Sequence, residues 1–295
     1  MIHVIPESEL ILNADGSVYH LNLQPEDIAD DIIIVGDPDR VEKVSKHFDK
    51  IELKKQKREF ITHTGTIGDR RVTVLSTGIG TDNIDIVMNE IDMLKNIDLK
   101  TRLVKPNLSR CSIYRVGTSG ALQADIAVDS LLISTHAIGL DGVLNYYQNR
   151  KELEIENHIA SQLNYPFITP YFNYGSELLI QKFDDSFLRG ATVTCCGFYA
   201  PQGRMIRKSI VSEDLVQRLS NLHLSNIPTK PELNGVRVTN FEMETAAIYG
   251  LSELFGFDAI SVNAIVANRI TNNFSKLGAK TIEIAILKTL EIICK

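Results

Sequence analysis

The polarity pattern along the chain switches repeatedly between a strand period and a helix period. Asp31-Ile32-Ile33-Ile34-Val35 is an unbroken apolar run, as expected of a strand buried on both faces. It passes through Gly36-Asp37-Pro38-Asp39-Arg40 into Val41, Val44 and Phe48, apolar positions at helical spacing. Ile61 to Ile67 and Val72 to Ser76 read as strands, with Arg70-Arg71 at the hairpin turn between them. Beyond Thr77-Gly78-Ile79-Gly80-Thr81-Asp82-Asn83, a helix is predicted through Ile84, Val87, Met88, Ile91 and Leu94. Ser112 to Val116 is a strand ending in Gly117-Thr118-Ser119-Gly120, and Asp129 to Ser134 is another. Residues 140–165 read as loop plus helix, and Ala191 to Cys196 as a strand leading into Gly197 to Arg204. Ala247, Leu251, Leu254 and Phe255 recur at helical spacing before Gly256 stops the run. The strand Ala259 to Val266 and an amphipathic helix from Lys280 to Cys294 close the chain. Strands alternating with helices throughout predict an α/β fold, a sheet with helices on both faces. Ligands of such sheets gather at the carboxyl ends of the strands.

Composition narrows the class. The 295 residues are long enough for one large α/β domain or two small ones; a single domain over 1–295 is expected, with residues 1–17 as an N-terminal extension. A net charge of −6 argues against a nucleic-acid partner, which normally meets a basic surplus. No run of about 18 apolar residues exists, and Met1 to Pro6 lacks a basic segment followed by an apolar core. Neither a membrane partner nor a signal peptide is therefore expected. Cys111, Cys195, Cys196 and Cys294 show no CxxC spacing, which favours reduced thiols in a cytoplasmic protein.

Several segments carry chemistry beyond what the fold requires. The turn Gly36 to Arg40 lies between a strand and a helix start, a natural oxyanion site to which Arg40 adds charge. A well-capped βα turn explains Asp37 and Pro38 but leaves Arg40 unassigned. The GxG of Gly78 to Gly80 suggests a dinucleotide loop. However, Asn83 stands where the third glycine belongs, and the unit is not the first βαβ of the chain, so that reading is disfavoured. Thr118 and Ser119 between two glycines can offer both O–H and N–H to an anion. Asn240-Phe241-Glu242-Met243-Glu244 places two carboxylates before a helical run, where capping is the bland explanation.

Taken in order, Gly36-Asp37-Pro38-Asp39-Arg40, Arg58-Glu59-Phe60, Ser76-Thr77-Gly78-Ile79-Gly80, Arg115-Val116-Gly117-Thr118-Ser119-Gly120 and Asn240 to Glu244 resemble the nucleoside phosphorylase family. The resemblance covers roughly residues 18–290 and is strongest to the uridine-cleaving members. It implies a central twisted mixed sheet and reversible phosphorolysis of uridine to uracil and α-ribose 1-phosphate. Gly36, Arg40, Arg115 and Thr118 would hold phosphate, joined by Arg58 of the partner subunit. Met243 and Glu244 would pack under the ribose, with Glu242 and Thr118 beside them. His20, in a segment that reads as a short strand or an arm, would cross a homodimer to the 5′-hydroxyl. Phe198 would stack on the base, and Gln202 and Arg204 would read its edge, with Ser119, Gly120 and Arg269 nearby.

Purine-cleaving members place an Asp where this chain has Asn268-Arg269. The resemblance requires no cofactor for the chemistry. It implies an interfacial potassium ion at Glu59 and Ile79, with Asn83 in place of the Ser of the enterobacterial enzymes. The stretch Asp98 to Arg110 reads as an insertion, which leaves the assembly open between a dimer and a hexamer built as a trimer of dimers. The readings set against uridine phosphorolysis are a purine phosphorylase or nucleosidase of the same fold and a non-catalytic nucleoside-binding protein.

The chemistry explains the residue types. Phosphate attacks C1′ opposite the base, through a sugar of oxocarbenium character. Phosphate is already a competent nucleophile, so the work is positioning, and orientation alone can supply about 7–11 kcal/mol. Charge on the leaving uracil spreads to two oxygens that Arg204 and Gln202 can meet. On that basis Arg115, Arg204 and Glu244 are the candidate catalytic groups.

Overall fold

The apolar run Asp31–Val35 forms β1, near the middle of an 11-stranded mixed sheet, in a computed structural model that describes residues 4–148, 153–165, 167–225 and 227–295. In chain order there follow α1 (Asp39–Ser45), β2 (Lys50–Lys57), β3 (Phe60–Ile67), β4 (Arg70–Ser76), α2 (Thr81–Asn96), β5 (Ile97–Asp98), β6 (Leu103–Val104), β7 (Ser112–Ala121) and β8 (Leu131–Gly139). Then come α3 (Leu153–Leu163), β9 (Tyr171–Tyr174), α4 (Glu177–Ile180), β10 (Leu188–Thr194), α5 (Leu215–Ser220), β11 (Val238–Glu242), α6 (Thr245–Phe255), β12 (Asp258–Asn268), β13 (Asn273–Phe274) and α7 (Gly278–Cys294).

β1 lies parallel between β4 and β7. Its alternate side chains enter two different cores. Ile32 and Ile34 pack with α2 and α6, whereas Ile33 and Val35 pack with α1 and α7. The continuous apolar run therefore reflects helices on both faces, as expected. β7 also pairs with β12 and with β11, so β7, β12, β8, β10 and β11 close into a ring. That closure carries the strand ends of both halves of the sheet to one mouth.

Several local expectations are corrected. Gly117 to Gly120 is not a loop after a strand. β7 runs through to Ala121, with Thr118 opposite Ala264 and Ser119 opposite Ile265 of β12. Both glycines are needed for packing. A Cβ on Gly120 would lie 2.8 Å from the Phe241 ring, and one on Gly117 would lie 2.4 Å from Arg115 Nη1. Arg70 and Arg71 open β4, and the turn is Gly68-Asp69. Glu242 ends strand β11 and does not open a helix; α6 begins at Thr245.

The expected loop plus helix over 140–165 contains a 3-10 turn at Val143–Tyr146 and α3, with residues 149–152 outside the described part. The stretch from Asp98 to Arg110 carries the small hairpin β5–β6. Arg102 there donates to the Leu10 carbonyl at 2.6 Å, and its own carbonyl accepts from the Ile5 N–H. The N-terminal segment is thus clamped against the domain, with Leu10, Val18, Leu21 and Leu23 buried.

Candidate active site

A cavity of about 660 Å³ opens where the carboxyl ends of β1, β4, β10, β11 and β12 meet the middle of β7. Its side chains fall into three groups along its length.

At one end are Gly36, Arg40, Arg115 and Thr118. The turn after β1 is shaped by Asp37, whose carboxylate accepts from the Asp39 N–H at 3.0 Å. Pro38 then leads into α1. Arg40 projects back from the first turn of that helix and donates to the Val116 carbonyl at 3.1 Å. Burial pushes its pKa down from the ordinary value, opposed by Asp37. Thr118 is the one exposed residue of its stretch of β7.

The Arg115 guanidinium lies flat over Gly117. Its Nη1 donates to Ser261 Oγ at 3.3 Å and to Asn263 Oδ1 at 3.2 Å. Its Nη2 donates to Glu244 at 2.7 Å and lies 2.8 Å from Glu242. Burial alone would lower the Arg115 pKa, but the two carboxylates outweigh it and hold the guanidinium charged.

The middle of the cavity is Glu242-Met243-Glu244. Glu242 is locked by the protein. It accepts from Thr194 Oγ1 at 2.6 Å, from the Glu244 N–H at 2.9 Å and from the Thr245 N–H at 3.0 Å. It thereby satisfies the N–H groups at the entrance to α6. Glu244 is different. One oxygen accepts from the Gly80 N–H at 2.9 Å, and the other accepts from Arg115. Gly80 has φ +98, and Gly78 has φ +72, which lets the loop after β4 turn its N–H toward the carboxylate. Burial pushes the Glu244 pKa up, and Glu242 adds to that, because a single guanidinium serves two carboxylates.

The far end is formed by Phe198, Gln202, Arg204 and Phe241, with Val266, Ala267 and Phe274 closing the wall. The Arg204 guanidinium stacks on the Phe198 ring at 3.7 Å and donates to Gln202 Oε1 at 2.5 Å. Gln202 Nε2 donates to the Glu242 carbonyl at 3.3 Å, which fixes the amide. Arg269 stands behind the cavity wall and braces the loop by donating to the carbonyls of Gln202 and Gly203. Burial, with Arg269 as a like charge, pushes the Arg204 pKa down to about 10. Among the described residues no carboxylate pairs with Arg204 or Arg269, so this end of the cavity carries uncompensated positive charge. Ser119 and Gly120 line the floor, with Ser119 Oγ accepting from Asn240 at 2.9 Å.

Besides Arg269, two expected site residues lie apart from the cavity. His20 sits on the N-terminal segment against α2, where its Nδ1 meets Glu90 at 2.7 Å. Arg58 is exposed at the β2–β3 turn with φ +55. Glu59, Ile79 and Asn83 form the nearby rim, and Asn83 Nδ2 donates to Glu59 at 3.3 Å. Ser261 and Asn263, which orient Arg115, were not anticipated. Their signal was two polar residues on one face of an otherwise apolar strand. Phe274 gave no such signal.

A family model described as Phosphorylase superfamily matches residues 30–290. A curated uridine phosphorylase from Thermococcus kodakarensis is 28% identical, over 100% of this chain and 93% of its own length. The uridine phosphorylase of Escherichia coli is 27% identical, over 86% of this chain and 87% of its own length. Among solved structures, a Trypanosoma brucei nucleoside phosphorylase whose description reports uridine phosphorylase activity aligns with TM-score 0.85 and 29% identity. That alignment covers 97% of this chain and 99% of that one.

Proposed function

This chain belongs to the phosphorylase superfamily, and from that premise we propose that its cavity cleaves uridine with phosphate. The enzyme is a pentosyltransferase. It converts uridine and phosphate reversibly to uracil and α-ribose 1-phosphate, as expected from its likeness to uridine phosphorylases along its whole length.

The observation that carries the assignment is the order of groups in one continuous cavity: Arg40, Arg115 and Thr118 at one end, Met243 and Glu244 in the middle, Phe198, Gln202 and Arg204 at the other. Phosphate bound by the arginine forks is held on the face of C1′ opposite the base. Glu244 accepts from the sugar hydroxyls and lends negative charge to the oxocarbenium-like ring. Gln202 Oε1 and the Arg204 N–H groups form an acceptor–donor pair that matches the N3–H and carbonyl oxygen of uracil. As the C1′–N1 bond breaks, the electron pair moves onto the base, and the uncompensated charge of Arg204 stabilises it there. Cytosine presents the opposite pattern, and a purine needs a proton at N7 that Asn268 cannot supply. Turnover of uridine, cytidine and inosine in phosphate tests this: uridine is the expected substrate, and cleavage of inosine but not uridine would refute the pocket assignment.

The active unit in this proposal is a homodimer, since Arg58 and His20 lie outside the cavity of their own chain. The two-fold contact would bring Arg58 to the phosphate end and His20 to the 5′-hydroxyl of the neighbouring site. Glu59 and Asn83 offer hard oxygen donors on that rim and fit a potassium ion completed by the second subunit. No described helix is long and apolar enough to cross a membrane. With all four cysteines free, the cytoplasm is the compartment assigned.

A further inference from the structure

Arg115 and Glu244 are assigned above to different substrates, phosphate and ribose, yet they are bonded to each other at 2.7 Å. This sets up a competition. A phosphate oxygen entering the arginine end competes for the same guanidinium that Glu244 holds. The remaining partners of Arg115 cannot give way. Ser261 and Asn263 are buried on β12, and Glu242 is pinned by Thr194 and by two backbone N–H groups. Glu244 can yield, because the Gly80 N–H retains its other oxygen at 2.9 Å and keeps the carboxylate in place. The oxygen released from Arg115 then has no partner until a sugar hydroxyl donates to it.

We infer that Arg115 and Glu244 form an exchange switch: phosphate takes Arg115 from Glu244, and the freed carboxylate oxygen is handed to the ribose. The two substrates thus bind with positive coupling, and Glu242 keeps the guanidinium in position while its other partner changes. One guanidinium against two buried carboxylates favours such an exchange, because the arriving anion competes with a carboxylate already short of positive charge. The inference rests on the phosphorolysis reading for the identity of the two ligands.

The test is calorimetric binding of uridine to the intact protein in chloride buffer and in saturating sulfate, an unreactive stand-in for phosphate. Wild type is expected to bind uridine about tenfold more tightly with sulfate, within the usual range of coupling between sites, and sulfate more tightly with uridine by the same factor. The nucleoside 2′,3′-dideoxyuridine, which lacks the hydroxyls from which Glu244 would accept, should show no tightening. Glu244→Gln should bind sulfate more strongly than wild type and lose most of the coupling. Equal uridine affinity with and without sulfate overturns the exchange. So does equal tightening of both nucleosides, or full coupling in Glu244→Gln. Uracil release in phosphate, measured on the same preparation, separates the two readings. Turnover without coupling overturns the exchange alone, and no turnover overturns the function and the exchange together.

Discussion

Gly117→Ala should disable the phosphate end of the site without touching the backbone. Gly117 lies in extended β7 and does not have a positive φ, so alanine is conformationally acceptable there. The obstacle is the Arg115 side chain. A Cβ at this position would stand 2.4 Å from Nη1, 2.6 Å from Cζ and 2.7 Å from Nη2. Ordinary contact begins near 3.4 Å, so the guanidinium must lift by about 1 Å. It cannot do so and keep its 2.7 Å bond to Glu244 and its bonds to Ser261 and Asn263. A misplacement of about 1 Å costs on the order of a hundredfold in rate where catalysis depends on orientation. Weakened charge-assisted bonds add a stability loss of about 1.5–3 kcal/mol. The assay is steady-state uracil release with phosphate varied at fixed uridine. The expected result is a hundredfold loss in kcat/KM for phosphate with a folded protein. A variant within threefold of wild type would refute the assignment of Arg115 to phosphate.

Other consequences follow from the same geometry. Arg204→Ala removes the donor facing the base and should lower kcat/KM for uridine by about a hundredfold, with KM for phosphate nearly unchanged; an equal loss in both parameters would contradict a base role. Mixing Arg58→Ala and Arg115→Ala subunits should restore about a quarter of wild-type activity, because half of randomly paired dimers carry one intact site; no recovery after subunit exchange would contradict a shared site. His136 is half-buried against Phe172 and Tyr174, and desolvation there pushes its pKa from 6.5 to about 4. The unfolded chain therefore takes up the proton first. Stability is full above pH 6.5 and declines as pH falls toward 4, by about 3 kcal/mol at most. Urea unfolding of His136→Phe across that window should show a flatter acid limb than wild type.

How far the fold could be read from the sequence varied with how plainly burial was written in it. β1 is apolar at every interior position because both of its faces meet helices, and its bounds were legible residue by residue. β2 was invisible. Lys50–Lys57 is an edge strand whose half-buried face carries Lys55 and Lys57, bonded to Asp27 and Asn13, in place of apolar side chains, so it shows no apolar alternation. The glycines of β7 suggested a loop. They are there because a guanidinium and an aromatic ring press against the backbone, a tertiary demand that local pattern cannot announce. In the site, Arg40 stood out as a residue that turn formation did not explain, whereas Arg115, Gln202, Arg204 and Glu244 were marked by the family resemblance; the structure brings all five into one cavity. Glu242 looked equivalent to Glu244. Only the packing of Thr194 and the start of α6 separates them, turning one into a fixed brace and leaving the other free to act.

The central claim is that these arginines exist to bind a phosphate that attacks uridine. It is tested most directly by uracil release from uridine in matched buffers with and without inorganic phosphate. The account predicts release only when phosphate is present, with ribose 1-phosphate formed in equal amount. Release at the same rate in phosphate-free buffer, with free ribose as the product, would contradict it.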